Sequence, residues 1–188
     1  MYGRRPDKVL LMKQTKKISI CSVFAALSIV LMFSTALLPV STYALPAFAG
    51  LLTTVIVIEI DKKWAFGIYV TVSLLSAFLV PDKEAAAMYI AFFGYYPIIK
   101  SVFEKHLPRI AEYILKFLVF NAAMVGAYCF LFFILGMPID EYGELGKFAI
   151  PILLGLGNVF FLVFDFALTK LITVYIHVWS RRFRKFFR

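Results

Sequence analysis

The sequence is poor in charge. Only 16% of its 188 residues are Asp, Glu, Lys or Arg, while 62% are hydrophobic. Soluble domains carry about 25% charged and about 45–50% apolar residues. The composition therefore excludes an ordinary soluble protein and predicts a chain embedded in a membrane. Its length allows one compact domain and leaves no room for a separate soluble catalytic unit.

Cysteine and histidine are also scarce, with two of each. Cys21 and Cys129 fall inside apolar runs, where a structural disulfide is not expected. His106 and His177 stand apart from each other in basic flanks. Metal sites need several such ligands at close spacing. The sequence therefore indicates no metal site and no resident cofactor.

Sequence motifs of catalytic chemistry are missing as well. The chain has no Gly-rich phosphate loop followed by Lys-Ser or Lys-Thr, no His-Glu-x-x-His and no Gly-x-Ser-x-Gly. We therefore expect no ATP hydrolysis by this chain alone and do not expect an enzyme. Two alternatives stay open: a small integral membrane enzyme that acts on lipid, and a structural or regulatory membrane protein.

Long apolar runs are what the sequence contains instead. The first run, residues 18–40, has 23 residues and no charge. It exceeds the ~20 residues needed to cross a bilayer and the ~7–15 of a signal-peptide core. Further runs follow at 44–60, 64–80, 85–99, 113–135 and 148–177. The pattern predicts an all-α integral membrane protein, a bundle of six transmembrane helices.

The distribution of basic residues predicts the orientation of this bundle. Six spans would place 18 of the 20 Lys and Arg on one side, and only Lys83 and Lys147 on the other. Basic residues beside a span stay in the cytoplasm, so both termini are predicted to be cytoplasmic. The net charge of +9 then reflects topology and contact with anionic lipids, not nucleic acid.

The same pattern divides the chain into three parts. A basic cytoplasmic segment covers residues 1–17, the six-helix transmembrane domain covers 18–177, and a basic tail covers 178–188. Residues 1–11 look loosely attached, so Met12 is a natural start. The polar stretch 100–112 is predicted to lie partly along the membrane interface.

Two local signals predict where helices begin. Pro46 fits the first turn of the second helix, where a missing N–H costs nothing. Asp82 fits the N-cap of the fourth helix.

Polar residues at membrane depth are costly and are usually paired or functional. Lys116 and Asp165 fall at similar depth in spans five and six, and we predict a structural ion pair, with a proton or ion site as the alternative. Asn121 and Asn158 are predicted to lie near each other at mid-membrane. Interhelical hydrogen bonding is one role for them, and lining a ligand pocket is the other.

Polar and aromatic groups also collect in the links predicted to face outward. They would rim a pocket for a small, partly aromatic ligand, although a solvated loop needs no such role. The predicted substrate-binding residues are Tyr43, Glu84, Tyr89, Tyr128, Tyr142 and Asn158.

Small residues form a ridge near the start of the first span. The ridge contains Cys21, Ser22, Ala25, Ala26 and Ser28. Small side chains let another helix approach closely within lipid. The ridge predicts tight packing inside the bundle or a docking face for another membrane protein.

The organisation as a whole resembles a known family. Residues 16–27 form a basic start that leads into a small-residue span, and the last span carries residues 157–160, Asp165 and Lys170 before a basic exit. With six spans, this is similar to the substrate-binding S components of energy-coupling factor transporters, small vitamin-uptake subunits of prokaryotes.

The resemblance implies a function. It implies a multi-pass protein of a prokaryotic cell membrane that captures a vitamin or related small nutrient from outside. Separate scaffold and ATPase subunits would then energise import. In that family an Ala-x-x-x-Ala motif in the first span docks on the scaffold. The matching positions here are Ser22 and Ala26, or Cys21 and Ala25.

Overall fold

The computed structural model describes residues 14–37, 41–133 and 146–179. Within them the protein is all-helical, which confirms the predicted fold class at that level. The helices are α1 (Gln14–Ser34), α2 (Ala44–Glu59), α3 (Lys62–Leu79), α4 (Lys83–Met88), α5 (Tyr96–His106), α6 (Arg109–Phe133) and α7 (Gly146–Val174). Two π-helical segments, Tyr89–Phe93 and Tyr175–Trp179, follow α4 and α7.

Four helical segments of the described residues are long and apolar enough to cross a membrane. They are Gln14–Ser34, Lys83–His106, Arg109–Phe130 and Leu154–His177. The protein is therefore membrane-embedded. Helix α2 is apolar but has only 16 residues, about 24 Å of helix against a hydrocarbon core of about 30 Å. Six crossings and cytoplasmic termini stay predictions.

The chain divides into two compact units. Unit 1 ends at Lys116 and unit 2 begins at Phe117, so the boundary falls inside α6. In unit 1, α1 packs on α2 and α3, and α2 also packs on α5 and on the segment Tyr89–Phe93. Unit 2 contains the remainder of α6 together with α7.

The predicted helix starts are confirmed. The Oδ1 atom of Asp82 accepts a hydrogen bond from the backbone N–H of Ala85 at 2.9 Å, as an N-cap does. Pro46 is buried in the first turn of α2. The Asp61 side chain similarly accepts from the N–H of Lys62 at the start of α3.

The helix that runs from Lys83 to His106 is interrupted in its middle. The Gly94 N–H donates to the Tyr89 carbonyl at 2.8 Å, a bond across five residues that widens the turn. Pro97 has no N–H and cannot donate to the Phe93 carbonyl, so the regular helix restarts as α5. Helix α2 approaches this break so closely that a Cβ on Gly50 would collide with the Phe93 carbonyl.

Helix α5 extends further than the apolar run did. The sequence predicts a polar link at residues 100–112, whereas residues 100–106 are the last turns of α5. Lys100 is completely buried there. Its ammonium group forms an ion pair with the carboxylate of Glu104, one turn later on the same helix.

Candidate functional site

Four polar residues meet where α2 and α4 begin, and we call Thr42, Tyr43, Asp82 and Glu84 the rim cluster. The Thr42 hydroxyl donates to Oδ2 of Asp82 at 3.2 Å. The Tyr43 hydroxyl donates to Oε1 of Glu84. Residues about 40 positions apart in sequence are thereby joined at one end of unit 1.

The rim cluster is acidic. The carboxylates of Asp82 and Glu84 accept these hydrogen bonds from neutral hydroxyl groups. The neighbouring Lys83 directs its ammonium group to the Ala77 carbonyl at 3.0 Å, at the end of α3. Carboxylates beside hydroxyl groups offer hydrogen-bond acceptors to a small polar ligand.

Deeper in unit 1 lie four buried hydroxyl groups on three different segments. Thr53 is on α2, Ser73 and Ser76 are on α3, and Tyr89 opens the first π-helical segment. All four residues are buried, three of them completely. We call this set the hydroxyl cluster.

Hydrogen bonding within the hydroxyl cluster is incomplete. The hydroxyl of Tyr89 lies near that of Thr53, and Ser73 lies near the hydroxyl of Tyr69. Nevertheless, none of the four hydroxyl oxygens in the cluster has a hydrogen-bond partner of normal distance and angle.

Aromatic rings border the hydroxyl cluster. The Tyr69 ring centroid lies 6.4 Å from that of Tyr89 and 5.7 Å from that of Tyr95. The Tyr69 hydroxyl donates to the Ile90 carbonyl at 2.9 Å, which anchors α3 to the π-helical segment. A Cβ on Gly94 would strike the rings of both Tyr69 and Tyr89, so glycine is required for this packing.

The hydroxyl cluster lies below the rim cluster. Tyr89 follows Glu84 by five residues, a rise of about 7.5 Å along a helix. Ser76 precedes the end of α3 at Leu79 by less than one turn. The two clusters therefore occupy the same end of unit 1.

A buried ionic network lies at the other end of the helix Lys83–His106. Glu104 contacts the ammonium groups of both Lys100 (2.9 Å) and Lys116 (3.5 Å). Lys116 also pairs with Glu112, one turn earlier on α6. The Lys62 ammonium donates to the Ser101 carbonyl nearby, at 3.2 Å. Sequence reasoning missed these acidic partners, although the i, i+4 spacing within each helix is their signal.

In unit 2 the predicted proximity of Asn121 and Asn158 is confirmed. Each side-chain amide donates to the other's oxygen, at 2.9 and 3.0 Å. The Phe120 and Phe161 rings stack beside them with centroids 4.8 Å apart. A Cβ added to Gly157 would lie 3.4 Å from the Phe120 ring, at van der Waals distance. The two asparagines therefore form the predicted hydrogen bonds between α6 and α7.

The remaining predicted ligand residues are distributed over the chain. Tyr43 and Glu84 are brought together in the rim cluster, and Tyr89 is fully buried beneath them. Tyr128 is half-buried on α6 and belongs with Asn158 to unit 2. Tyr142 lies outside the described residues, as do residues 134–145 around it and residues 180–188 of the basic tail. A single pocket that combines all six residues stays a prediction.

The predicted ion pair of Lys116 and Asp165 also stays a prediction. Both side chains are buried. Lys116 is the last residue of unit 1, whereas Asp165 belongs to unit 2.

The small-residue ridge of α1 divides into two faces. Cys21 and Ser28 are buried, Ala25 is half-buried, and Ser22 and Ala26 are exposed. The buried face is the one that meets the rest of unit 1. Cys21 and Ala25 are therefore positioned for packing inside the bundle, and Ser22 and Ala26 are positioned to contact another membrane protein.

Among the described residues, no three His, Cys, Asp or Glu side chains converge as a metal site requires. No family model, no curated protein and no solved structure matches this chain.

Proposed function

We propose that this protein is the substrate-capture subunit of an ATP-driven importer of the energy-coupling factor type. It spans a prokaryotic cell membrane six times with both termini in the cytoplasm. It binds a vitamin or related small nutrient from the outer face. Scaffold and ATPase subunits in trans supply the energy, and anionic lipids contact its basic flanks.

The rim cluster is the observation that carries this proposal. Two residues selected from the sequence as ligand contacts, Tyr43 and Glu84, are hydrogen-bonded to each other although 41 positions separate them. Thr42 and Asp82 add a second link beside them. Few, convergent polar groups at the end of an apolar helix bundle are typical of small-molecule sites.

The exposed face of α1 supports the requirement for a partner. Ser22 and Ala26 lie four residues apart on that face, and the Ser22 hydroxyl is turned back to the Ile18 carbonyl at 2.9 Å. The Ser22 hydroxyl therefore needs no partner outside its own helix. Because the side chains of Ser22 and Ala26 are small, another transmembrane helix can approach closely there.

Identification of co-purified small molecules tests the proposal. The protein is purified in mild detergent, its bound small molecules are extracted, and mass spectrometry identifies them. Glu84→Gln and Tyr43→Phe should each reduce the amount retained several-fold, because each removes one side of the rim contact. Tyr113→Phe is the control, because Tyr113 is an exposed tyrosine near the start of α6 and is not part of the rim cluster.

Uptake in cells that also express a scaffold and ATPases is the second measurement. We expect accumulation of the identified compound to require this chain and to fall with the same two variants. Wild-type protein that retains no small molecule and supports no uptake would contradict the proposed function.

A further inference from the structure

The hydroxyl cluster differs from the other buried hydroxyl groups of unit 1. Ser28 donates to the Phe24 carbonyl at 2.9 Å, and Ser101 donates to the Ile98 carbonyl at 2.6 Å. Thr54 is directed to the Gly50 carbonyl at 3.5 Å. Each of these groups uses a carbonyl of its own helix, which is the ordinary solution for Ser and Thr in a membrane helix. Thr53, beside Thr54 on the same buried helix, does not.

Leaving such groups without partners is unfavourable. A buried hydroxyl that loses its water partners without gaining new ones costs free energy. Small shifts could bring Tyr89 into contact with Thr53, and Ser73 into contact with Tyr69. The hydroxyl groups of Tyr89 and Thr53 would then share one hydrogen bond, and Ser76 would still lack a partner. A native protein that retains such a cost requires an explanation, and a functional role is one of them.

The backbone supports the same interpretation. Tyr89 occupies the first position of a π-helical segment, and such segments are frequent at functional sites. The wider turn ends at Gly94, whose lack of a side chain lets the rings of Tyr69 and Tyr89 pack over it. Three aromatic rings and four hydroxyl groups therefore share one region of the helix bundle.

We propose that the hydroxyl cluster binds the interior part of the captured molecule, a neutral planar group that carries both hydrogen-bond donors and acceptors. This inference rests on the proposed function and names its ligand class. Hydroxyl groups donate and accept, so they match amide or hydroxyl substituents on a ring. The rings of Tyr69 and Tyr95 provide faces and edges for a planar group. Because the cluster itself contains no charged side chain, a charged group there would be uncompensated at membrane depth.

Binding requires movement of the helices. The four oxygens are enclosed in the present conformation, so α3 must separate from α2 and the segment Tyr89–Phe93 to admit the group. Such an opening is a minor state whose population the ligand increases. The rim cluster then contacts the more polar end of the same molecule.

Removing these hydroxyl groups should raise thermal stability but lower ligand retention, and this combination tests the proposed site. Thr53→Val, Ser76→Ala and Tyr89→Phe each remove a hydroxyl that lacks a partner, so the ligand-stripped protein should have a higher Tm than wild type. The same variants should retain about tenfold less of the co-purified molecule, as loss of one hydrogen bond to a bound group gives. Thr54→Val and Ser28→Ala, which remove partnered hydroxyls, are the controls and should leave retention unchanged.

A pair of probes tests the ligand class. Nicotinamide is a planar neutral ring with an amide, and nicotinate has the same shape with a negative charge. At millimolar concentration, nicotinamide should raise the Tm of the stripped wild-type protein more than nicotinate does. Tyr89→Phe and Thr53→Val should abolish that difference.

The outcomes separate this inference from the proposed function. Wild-type protein that retains a molecule, with variants that retain it equally, would overturn the hydroxyl cluster as the site and leave the proposed function standing. A higher Tm in the variants with unchanged retention would show a packing defect only, and equal effects of the two probes would overturn the ligand class. Wild-type protein that retains no molecule and supports no uptake would overturn both proposals.

Discussion

The side-chain amides of Asn121 and Asn158 form a closed pair of reciprocal hydrogen bonds. Each amide nitrogen also donates to a carbonyl of its own helix, Phe117 at 2.8 Å for Asn121 and Leu154 at 2.7 Å for Asn158. Both hydrogens of each amide are therefore used. A fully satisfied polar pair stabilises contact between apolar helices without leaving a donor exposed to lipid.

Replacing either asparagine by leucine should destabilise the protein. Asn121→Leu or Asn158→Leu should each cost about 1–2 kcal/mol, because the remaining amide loses its partner in an apolar environment. The double variant should recover part of the loss. Unfolding of all four proteins in mixed detergent measures the coupling, and strictly additive losses would contradict a direct interaction. Retention of ligand in Asn158→Leu separates the structural role from the predicted ligand role.

Two glycines of neighbouring helices should respond oppositely to alanine. Gly50→Ala places a Cβ against the Phe93 backbone carbonyl, which cannot move without shifting the π-helical segment. We expect a loss of at least about 2 kcal/mol, as for overpacking. Gly67→Ala meets nothing within 4 Å and should stabilise α3 by about 0.5–1 kcal/mol. Thermal unfolding of the two variants beside wild type measures this, and equal effects would disprove the close approach of α2.

The carboxylate of Glu104 should contribute strongly to stability. It contacts two buried ammonium groups, those of Lys100 and Lys116. Glu104→Gln should destabilise by about 3 kcal/mol, because buried cations lose a counter-charge. Adding Lys100→Met should restore part of that loss.

The control for Glu104 is Lys105→Met, an exposed neighbour on the same helix. Its effect on the free energy of unfolding should stay within about 0.5 kcal/mol. A small effect of Glu104→Gln, comparable with this control, would show that the network adds little stability.

Two serines of α1 provide a matched test of the docking face. The Ser22 and Ser28 hydroxyls each donate to the carbonyl four residues earlier, at 2.9 Å, but Ser22 is exposed and Ser28 is fully buried. Ser28→Leu should overpack the bundle and cost about 1–3 kcal/mol. Ser22→Leu, like Ala26→Leu, should leave Tm and ligand retention unchanged.

Transport separates the two serines further. If the exposed face binds a scaffold subunit, Ser22→Leu and Ala26→Leu should abolish uptake and co-purification of that subunit, because close helix approach tolerates only small side chains. Normal uptake by these stable variants would end the docking hypothesis and leave only the packing role.

The orientation of the helices can be tested by cysteine labelling. In a background without Cys21 and Cys129, single cysteines are placed at the exposed positions Lys63, Pro81 and Lys105. An impermeant thiol reagent added to intact cells should label position 81 only, since basic flanks remain inside. Labelling at 63 or 105 from outside would contradict the predicted topology.

Much of the local structure was predictable from the chain alone. Asp82 and Pro46 mark helix starts because an N-cap acceptor and a missing N–H have local consequences. The asparagine pair was predictable because an amide within an apolar run must find a partner on another helix. The break at Tyr89–Phe93 was less visible, although Gly94 and Pro97 are its local causes.

The sequence by itself determined that this protein is helical and membrane-embedded, because apolar run length and charge scarcity act residue by residue against the bilayer. Only the tertiary structure decided which polar groups meet. It joined Tyr43 to Glu84, buried Lys100 with Glu104, and left the hydroxyls of the Thr53 and Tyr89 region without partners. Such pairings depend on helix rotation and on approach distance. Those are set by the packing of all neighbouring side chains together, and no single stretch of sequence encodes them.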